Sequence, residues 1–125
     1  MKNEFKRKTI VYKDYFWDFY NLQDLDVQNK IDWVIGLVIC LKIIPTKYFE
    51  HLTGTDGLYE IRIQLKSNIY RVFCCFDQGN LVILFNGFQK KSQKTPKNEV
   101  EKAIKLKNEY FDDKKKFEKQ NSNKK

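Results

Sequence analysis

Apolar positions recur along this chain with two different spacings. Lys8 to Tyr12 is a short β-branched run bounded by charge, a strand candidate. From Asp14 to Leu22 aromatic residues dominate, and the stretch predicts a first helix. A second helix starts near Asp24 or Asp26, either of which can cap it. Its residues Val27, Ile31, Val34, Ile35, Val38 and Leu41 return at helical spacing. Trp33, Leu37 and Ile39 widen the stripe to most of the circumference, and Pro45 ends the segment. Such a helix is either deeply buried or lends part of its surface to a partner.

Period-two alternation follows. From Leu58 to Lys66, Tyr59, Ile61, Ile63 and Leu65 share one face, and Glu60, Arg62, Gln64 and Lys66 share the other. A turn around Ser67-Asn68 leads to a second strand, Ile69 to Phe76. Asp77-Gln78-Gly79-Asn80 leads to a third, Leu81 to Phe88. Connections this short predict an antiparallel meander. Thr95-Pro96 opens a last helix, with Val100, Ile104 and Tyr110 or Phe111 facing inward. The order β-α-α-β-β-β-α is that of an α+β domain, a small antiparallel sheet with helices on one face.

Composition narrows what such a domain can do. With 125 residues the chain holds a single domain, and 42% apolar residues give it a core. The lone His51 and the three cysteines, Cys40, Cys74 and Cys75, fit no catalytic or structural zinc pattern, so no metal or cofactor is expected. No apolar run approaches a membrane span, and Met1 to Lys8 lacks the apolar core of a signal peptide, so a cytoplasmic protein with reduced thiols is expected. The net charge of +8 is unevenly placed: residues 1–88 carry 11 basic and 10 acidic side chains, residues 89–125 carry 13 and 6. Residues 113–125, with Phe117 their one apolar residue, read as a basic, disordered tail behind a domain of residues 1–112. An excess of this sign favours an anionic partner.

Strand pairing locates the candidate chemistry. If Lys66 pairs with Ile69, and Phe76 with Leu81, then Gln64 and Asn86 both lie opposite Arg71, with Arg62 diagonal to it. Glu60, Arg62, Gln64, Arg71 and Asn86 then converge on one patch, and Lys90 and Lys91 leave its edge, with Lys94 just beyond. A slip of one residue would carry Arg71 to the other face. Two guanidiniums with nearby ammoniums make a phosphate clamp. Neighbouring aromatics such as Tyr70 suit single-stranded RNA, whose bases stack on them. The plainer alternative is an exposed sheet pair between Arg62 and a carboxylate, worth under about 1 kcal/mol. Arg62 and Arg71 are the only arginines beyond Arg7 in a chain with 21 lysines, which favours a positional need for guanidinium.

Leu52-Thr53-Gly54, Leu58-Tyr59-Glu60-Ile61-Arg62, Tyr70-Arg71-Val72-Phe73, Gly87-Phe88-Gln89-Lys90-Lys91, Thr95-Pro96, Glu99 and Ala103 occur in the order and spacing of a known family. The chain resembles the HigB-like branch of the RelE/ParE toxin superfamily over residues 8–112. The resemblance implies a compact sheet packed by helices and the toxin half of a type II toxin–antitoxin pair. It also implies a ribosome-dependent mRNA endoribonuclease, whose partners are a helix-turn-helix antitoxin, the ribosome and mRNA. Carried over by position, the resemblance puts Arg62, Arg71, Lys90 and Lys91 at the active face as the catalytic residues; the patch and its surroundings, read from the sequence itself, add Glu60, Gln64, Tyr70, Asn86 and Lys94 as RNA contacts. Metal-free attack of a 2′-hydroxyl on the adjacent phosphate is intelligible there, since cations stabilise the phosphorane. A lysine held among cations, or Glu60, is the candidate for proton transfer.

The chain departs from that branch at Asn86, where members often carry histidine just before Gly-Phe. Asparagine moves no protons. His51 reads as an exposed loop residue rather than a replacement, which leaves Tyr70 and Tyr110 as remote candidates. The superfamily also contains gyrase-inhibiting toxins, and the basic patch equally suits a non-catalytic nucleic-acid-binding module, so the site and not the fold must decide.

Overall fold

A computed structural model describes residues 6–123. The elements run β1 (Lys8–Val11), α1 (Tyr15–Asn21), α2 (Leu25–Cys40), β2 (Phe49–His51), β3 (Tyr59–Leu65), β4 (Asn68–Asp77), β5 (Leu81–Lys90) and α3 (Lys97–Asn123). The expected α+β class and the antiparallel meander of β3, β4 and β5 are both present. The sheet order is β1-β5-β4-β3-β2.

Three features differ from the sequence reading. β1 runs parallel to β5, with Lys8 opposite Leu81 and Val11 opposite Leu84, so the sheet is mixed rather than purely antiparallel. β2 is too short to display a period and pairs with one end of β3, Phe49 opposite Ile61. The helices cover both faces instead of one. β4 and β5 explain this, because their apolar residues alternate with other apolar residues, and a strand apolar on both sides needs cover on both. Phe16, Phe19, Ile31, Val34 and Val38 of α1 and α2 pack on Ile61, Ile63, Val72, Val82 and Leu84. Ala103 and Leu106 of α3 pack on Phe73, Ile83, Phe85 and Phe88 from the other side.

Helix ends follow local chemistry. The Asp24 side chain accepts from the Val27 amide at 3.1 Å and starts α2. That helix stops at Cys40, ahead of Pro45, where the Arg7 guanidinium donates to the carbonyls of Val38, Leu41 and Lys42 at 2.8, 2.6 and 2.9 Å. In α3 the first turn closes on the Pro96 carbonyl. Ala103 and Leu106, not Ile104, take the buried positions, and Ile104 is exposed.

The helix α3 also runs on to Asn123, so residues 113–123, read as a disordered tail, are helical. The middle of α3, from Glu109 to Lys114, contacts distant parts of the chain. Tyr110 donates to Asp77 Oδ2 at 2.6 Å, and Lys114 Nζ reaches both Asp77 oxygens at 2.9 and 3.0 Å. Tyr12 donates to Asp113, and Lys13 pairs with Glu109 at 2.8 Å. Met1 to Phe5 of the expected domain and residues 124–125 of the expected tail lie outside the described residues.

Burial alone would raise the Asp77 carboxyl, but the Lys114 and Tyr110 hydrogen bonds outweigh it and hold the group below the ordinary aspartate range. A carboxyl depressed in the folded state contributes stability above its unfolded pKa and loses that contribution as pH falls through the folded value. The loss should therefore develop below about pH 4. Denaturant unfolding is expected to show Asp77→Asn costing about 1.5–3 kcal/mol at neutral pH, with a flatter acid limb than the parent. An acid limb of unchanged slope would remove Asp77 as the anchor.

Candidate functional site

Two departures from ideal pairing bring the site together. Between β3 and β4 the turn is Lys66-Ser67, with Lys66 in the left-handed region at φ 58°, and Leu65 pairs with Asn68. Arg62 therefore stands directly opposite Arg71, and Gln64 opposite Ile69. The expected register is corrected by two residues, a step that keeps every side chain on its face. The patch survives, with its arginines closer than foreseen.

Between β4 and β5 the register shifts by one. Cys74 pairs with Leu84, but Val72 pairs with Gly87, so Phe85 and Asn86 together oppose Phe73 in a bulge. Beyond it Arg71 faces Phe88, not Asn86 as expected, and Ile69 faces Lys90. Without the extra residue Arg71 would oppose Gly87, and Lys90 would turn to the α1–α2 side. The bulge thus assembles three rows on one face of the sheet: Glu60 with Phe73, then Arg62, Arg71 and Phe88, then Gln64, Ile69 and Lys90.

Charge on this face is ordered by one carboxylate. Glu60 is only 6% exposed, and its Oε1 lies 3.2 Å from Arg71 Nε and 3.4 Å from Arg62 Nε. Arg62 also donates to Glu50 Oε1 at 2.8 Å and to the Thr46 carbonyl at 3.3 Å. Arg71 is itself buried and donates to the Tyr70 carbonyl at 3.1 Å. Burial pulls the Arg71 guanidinium below its usual pKa, the Glu60 charge opposes this, and Arg62 adds to the lowering. A guanidinium stays charged through such shifts. The plain ion pair considered for Arg62 is present, but Arg71 and Glu60 form a buried one. The other Glu60 oxygen, Oε2, is buried without a partner. Largely buried, Glu60 orients both guanidiniums.

The remaining sequence candidates are divided. Lys90 is half-buried at the end of β5, Lys91 is exposed just past it, and Gln64 is exposed with its amide on the Lys66 carbonyl. Lys94 is exposed in the following loop. Tyr70 is corrected to the opposite face, buried with its ring 6.3 Å from that of Phe19. Asn86 is corrected as well. It is 2% exposed, and its Nδ2 donates to the Glu99 side chain at 2.9 Å and carbonyl at 3.1 Å, fastening the first turn of α3. His51 is exposed, with Nε2 3.1 Å from the Thr55 carbonyl. Tyr110 is engaged with Asp77.

Sequence reasoning missed Lys30, Lys47, Tyr48 and Lys66. With Arg62, Ile63, Gln64 and Arg71 they line a cavity of about 480 Å³ that has five basic residues and no carboxylate among its lining. Scattered over α2, the α2–β2 loop and a turn, these residues share no local motif. No described helix is long and apolar enough to cross a membrane.

Comparison with curated proteins gives no match. A family model does match, over residues 18–108, from within α1 to the middle of α3, and so includes every residue of the patch. Matching most of the chain, it establishes that this protein belongs to the phage-derived protein Gp49-like family, a toxin-like family related to RelE.

Proposed function

We propose that the chain is the HigB-like toxin of a type II toxin–antitoxin pair, a ribosome-dependent endoribonuclease that cuts mRNA and so inhibits translation. The observation that carries this reading is the pair Arg62 and Arg71, opposed across β3 and β4 and both oriented by the buried Glu60. Side chains so held need little reorganisation when a phosphate arrives. In the reaction a 2′-hydroxyl attacks the adjacent phosphorus and the bond to the 5′-oxygen breaks, leaving a 2′,3′-cyclic phosphate and a 5′-hydroxyl. The guanidiniums stabilise charge on the phosphorane. The attacking 2′-hydroxyl gives up its proton to water as the new O–P bond forms, and Lys90 or Lys91, on or beside the same face, delivers a proton to the leaving 5′-oxygen. The ribosome aligns the message, and orientation of that kind is worth several kcal/mol.

The partner is a helix-turn-helix antitoxin. Its proposed seat is the groove of about 620 Å³ between β1, α1 and α2, lined by Ile10, Trp17, Tyr20, Ile35 and Ile39. Induction in cells with primer-extension mapping of transcripts tests the whole scheme. The expected result is growth arrest with cuts confined to translated messages, relieved by co-expressing the cognate antitoxin unless Ile35→Asp is present. Arrest with intact messages and blocked replication would make this a gyrase inhibitor. RNA binding without arrest would make it a non-catalytic module.

A further inference from the structure

The arginines are not the source of the attraction a phosphate feels here. Arg62 and Arg71 face the carboxylates of Glu50 and Glu60, so the two positive charges are locally balanced. The lysines of the adjoining cavity are different: Lys30, Lys47 and Lys66 have no carboxylate within 4.0 Å among the described residues. The cavity opens where β2 stops, beyond the pairing of Phe49 with Ile61, leaving the rest of β3 without a strand neighbour on that side. The Arg62 amide donates to the Tyr48 carbonyl at 2.8 Å, which fixes the loop carrying Lys47 and Tyr48 against that edge.

Aromatic surface adjoins the charge. Trp33 is 50% exposed and meets Tyr48 edge-on, with ring centroids 5.6 Å apart. The Lys30 ammonium lies 4.5 Å from the Trp33 ring centre, and that of Lys47 lies 5.6 Å from the Tyr48 ring. Uncompensated ammoniums beside an exposed indole suit an unpaired nucleotide, which carries both an anion and a flat face.

We propose that this cavity is a second nucleotide subsite for single-stranded RNA, in which Lys30, Lys47 and Lys66 hold the phosphate next to the one at the arginines and a base stacks on Trp33. The inference deepens the interferase reading and rests on it for the identity of the strand. An arriving phosphate draws the Lys30 ammonium off the indole and uncovers the ring for the base. Binding energy gathered here positions the scissile phosphate, which the balanced arginine pair attracts poorly by itself.

Trp17→Phe leaves Trp33 as the only tryptophan and makes its fluorescence the readout. The probe is a short single-stranded RNA with 2′-O-methyl groups, which binds without being cut; heparin serves as a polyanion without bases. RNA is expected to quench Trp33 and heparin is not. Trp33→Ala should weaken RNA binding about 10-fold. Lys30→Ala with Lys47→Ala should lower the slope of log affinity against log salt by about 1.4, the contribution of two phosphate contacts on a single strand. Lys47 is exposed and Lys30 half-buried, and neither is paired with a carboxylate among the described residues, so the double variant tests the site even if Trp33→Ala unfolds. Unchanged affinity, slope and fluorescence would overturn the subsite. Cleavage of translated message by those same variants at the parent rate would overturn it too and leave the interferase reading standing. Quenching by RNA in a parent protein that never cuts would do the reverse.

Discussion

Arg71→Ala should lower cleavage of translated message by about 100- to 1,000-fold, the usual cost of removing one preorganised donor from a developing anion. The same change should destabilise the fold, for a reason separate from catalysis. Glu60 would keep only the longer contact to Arg62, at 3.4 Å, while remaining buried. Breaking a buried ion pair from one side costs about 3–5 kcal/mol, and the surviving contact places this case near the lower end. The two effects can be parted. Adding Glu60→Gln removes the stranded charge, so the double variant should recover much of the stability and none of the activity. Arg71→Lys should keep the charge but not the fork, with intermediate rates. Cleavage within about threefold of the parent in a folded double variant would sink the clamp.

A second large effect is expected at a residue with no charge. Gly87 lies beside the β5 bulge, and a Cβ there would stand 2.8 Å from Phe19 Cγ and Cε2 and closer still to Cδ2. Phe19 is buried and cannot swing out cheaply, so Gly87→Ala should cost about 1–3 kcal/mol through overpacking. Phe19→Leu alone should also destabilise, since it trims the α1 core. Combined, the two should lose less than the sum of the single losses, because the shorter side chain makes room for the methyl. Additive losses in denaturant unfolding would show that the clash is relieved by a backbone shift. Because β5 carries Lys90 past the bulge, such a shift should also appear as reduced cleavage.

The meander and α2 were legible because Tyr59 to Leu65 and Val27 to Val38 carry clean periods. β1 was legible as a strand but not in its partner, since parallel pairing with β5 leaves no turn signal. The faces were harder. An apolar run such as Val72 to Phe76 does not say which residue looks up or down, so cover on both sides emerged only in three dimensions. The arginine pair was found by parity, although both registers assumed for it were wrong. A lysine adopting positive φ in the first turn, and a bulge that hides one residue, leave no mark in composition. Asn86 was misplaced for the same reason; Tyr70 was misplaced because it stands directly before Arg71 in β4, and strand neighbours point to opposite faces in any register. Just beyond Asp112 the helix is held by Tyr12 on Asp113 and Asp77 on Lys114, contacts that no local window contains.

The parallel seam between β1 and β5 has a consequence for the chain as it is made. Lys8 to Val11 leaves the ribosome long before its partner Leu81 to Leu84 is made. At about 5–20 residues per second the delay is several seconds, during which the β1 edge and the apolar faces of α1 and α2 have no sheet to lie on. Closing so long a loop is slow compared with forming the meander. The arginines can therefore be paired on β3 and β4 before the fold is sealed, and refolding should show a fast phase for the meander and a slower one for docking of the first strand.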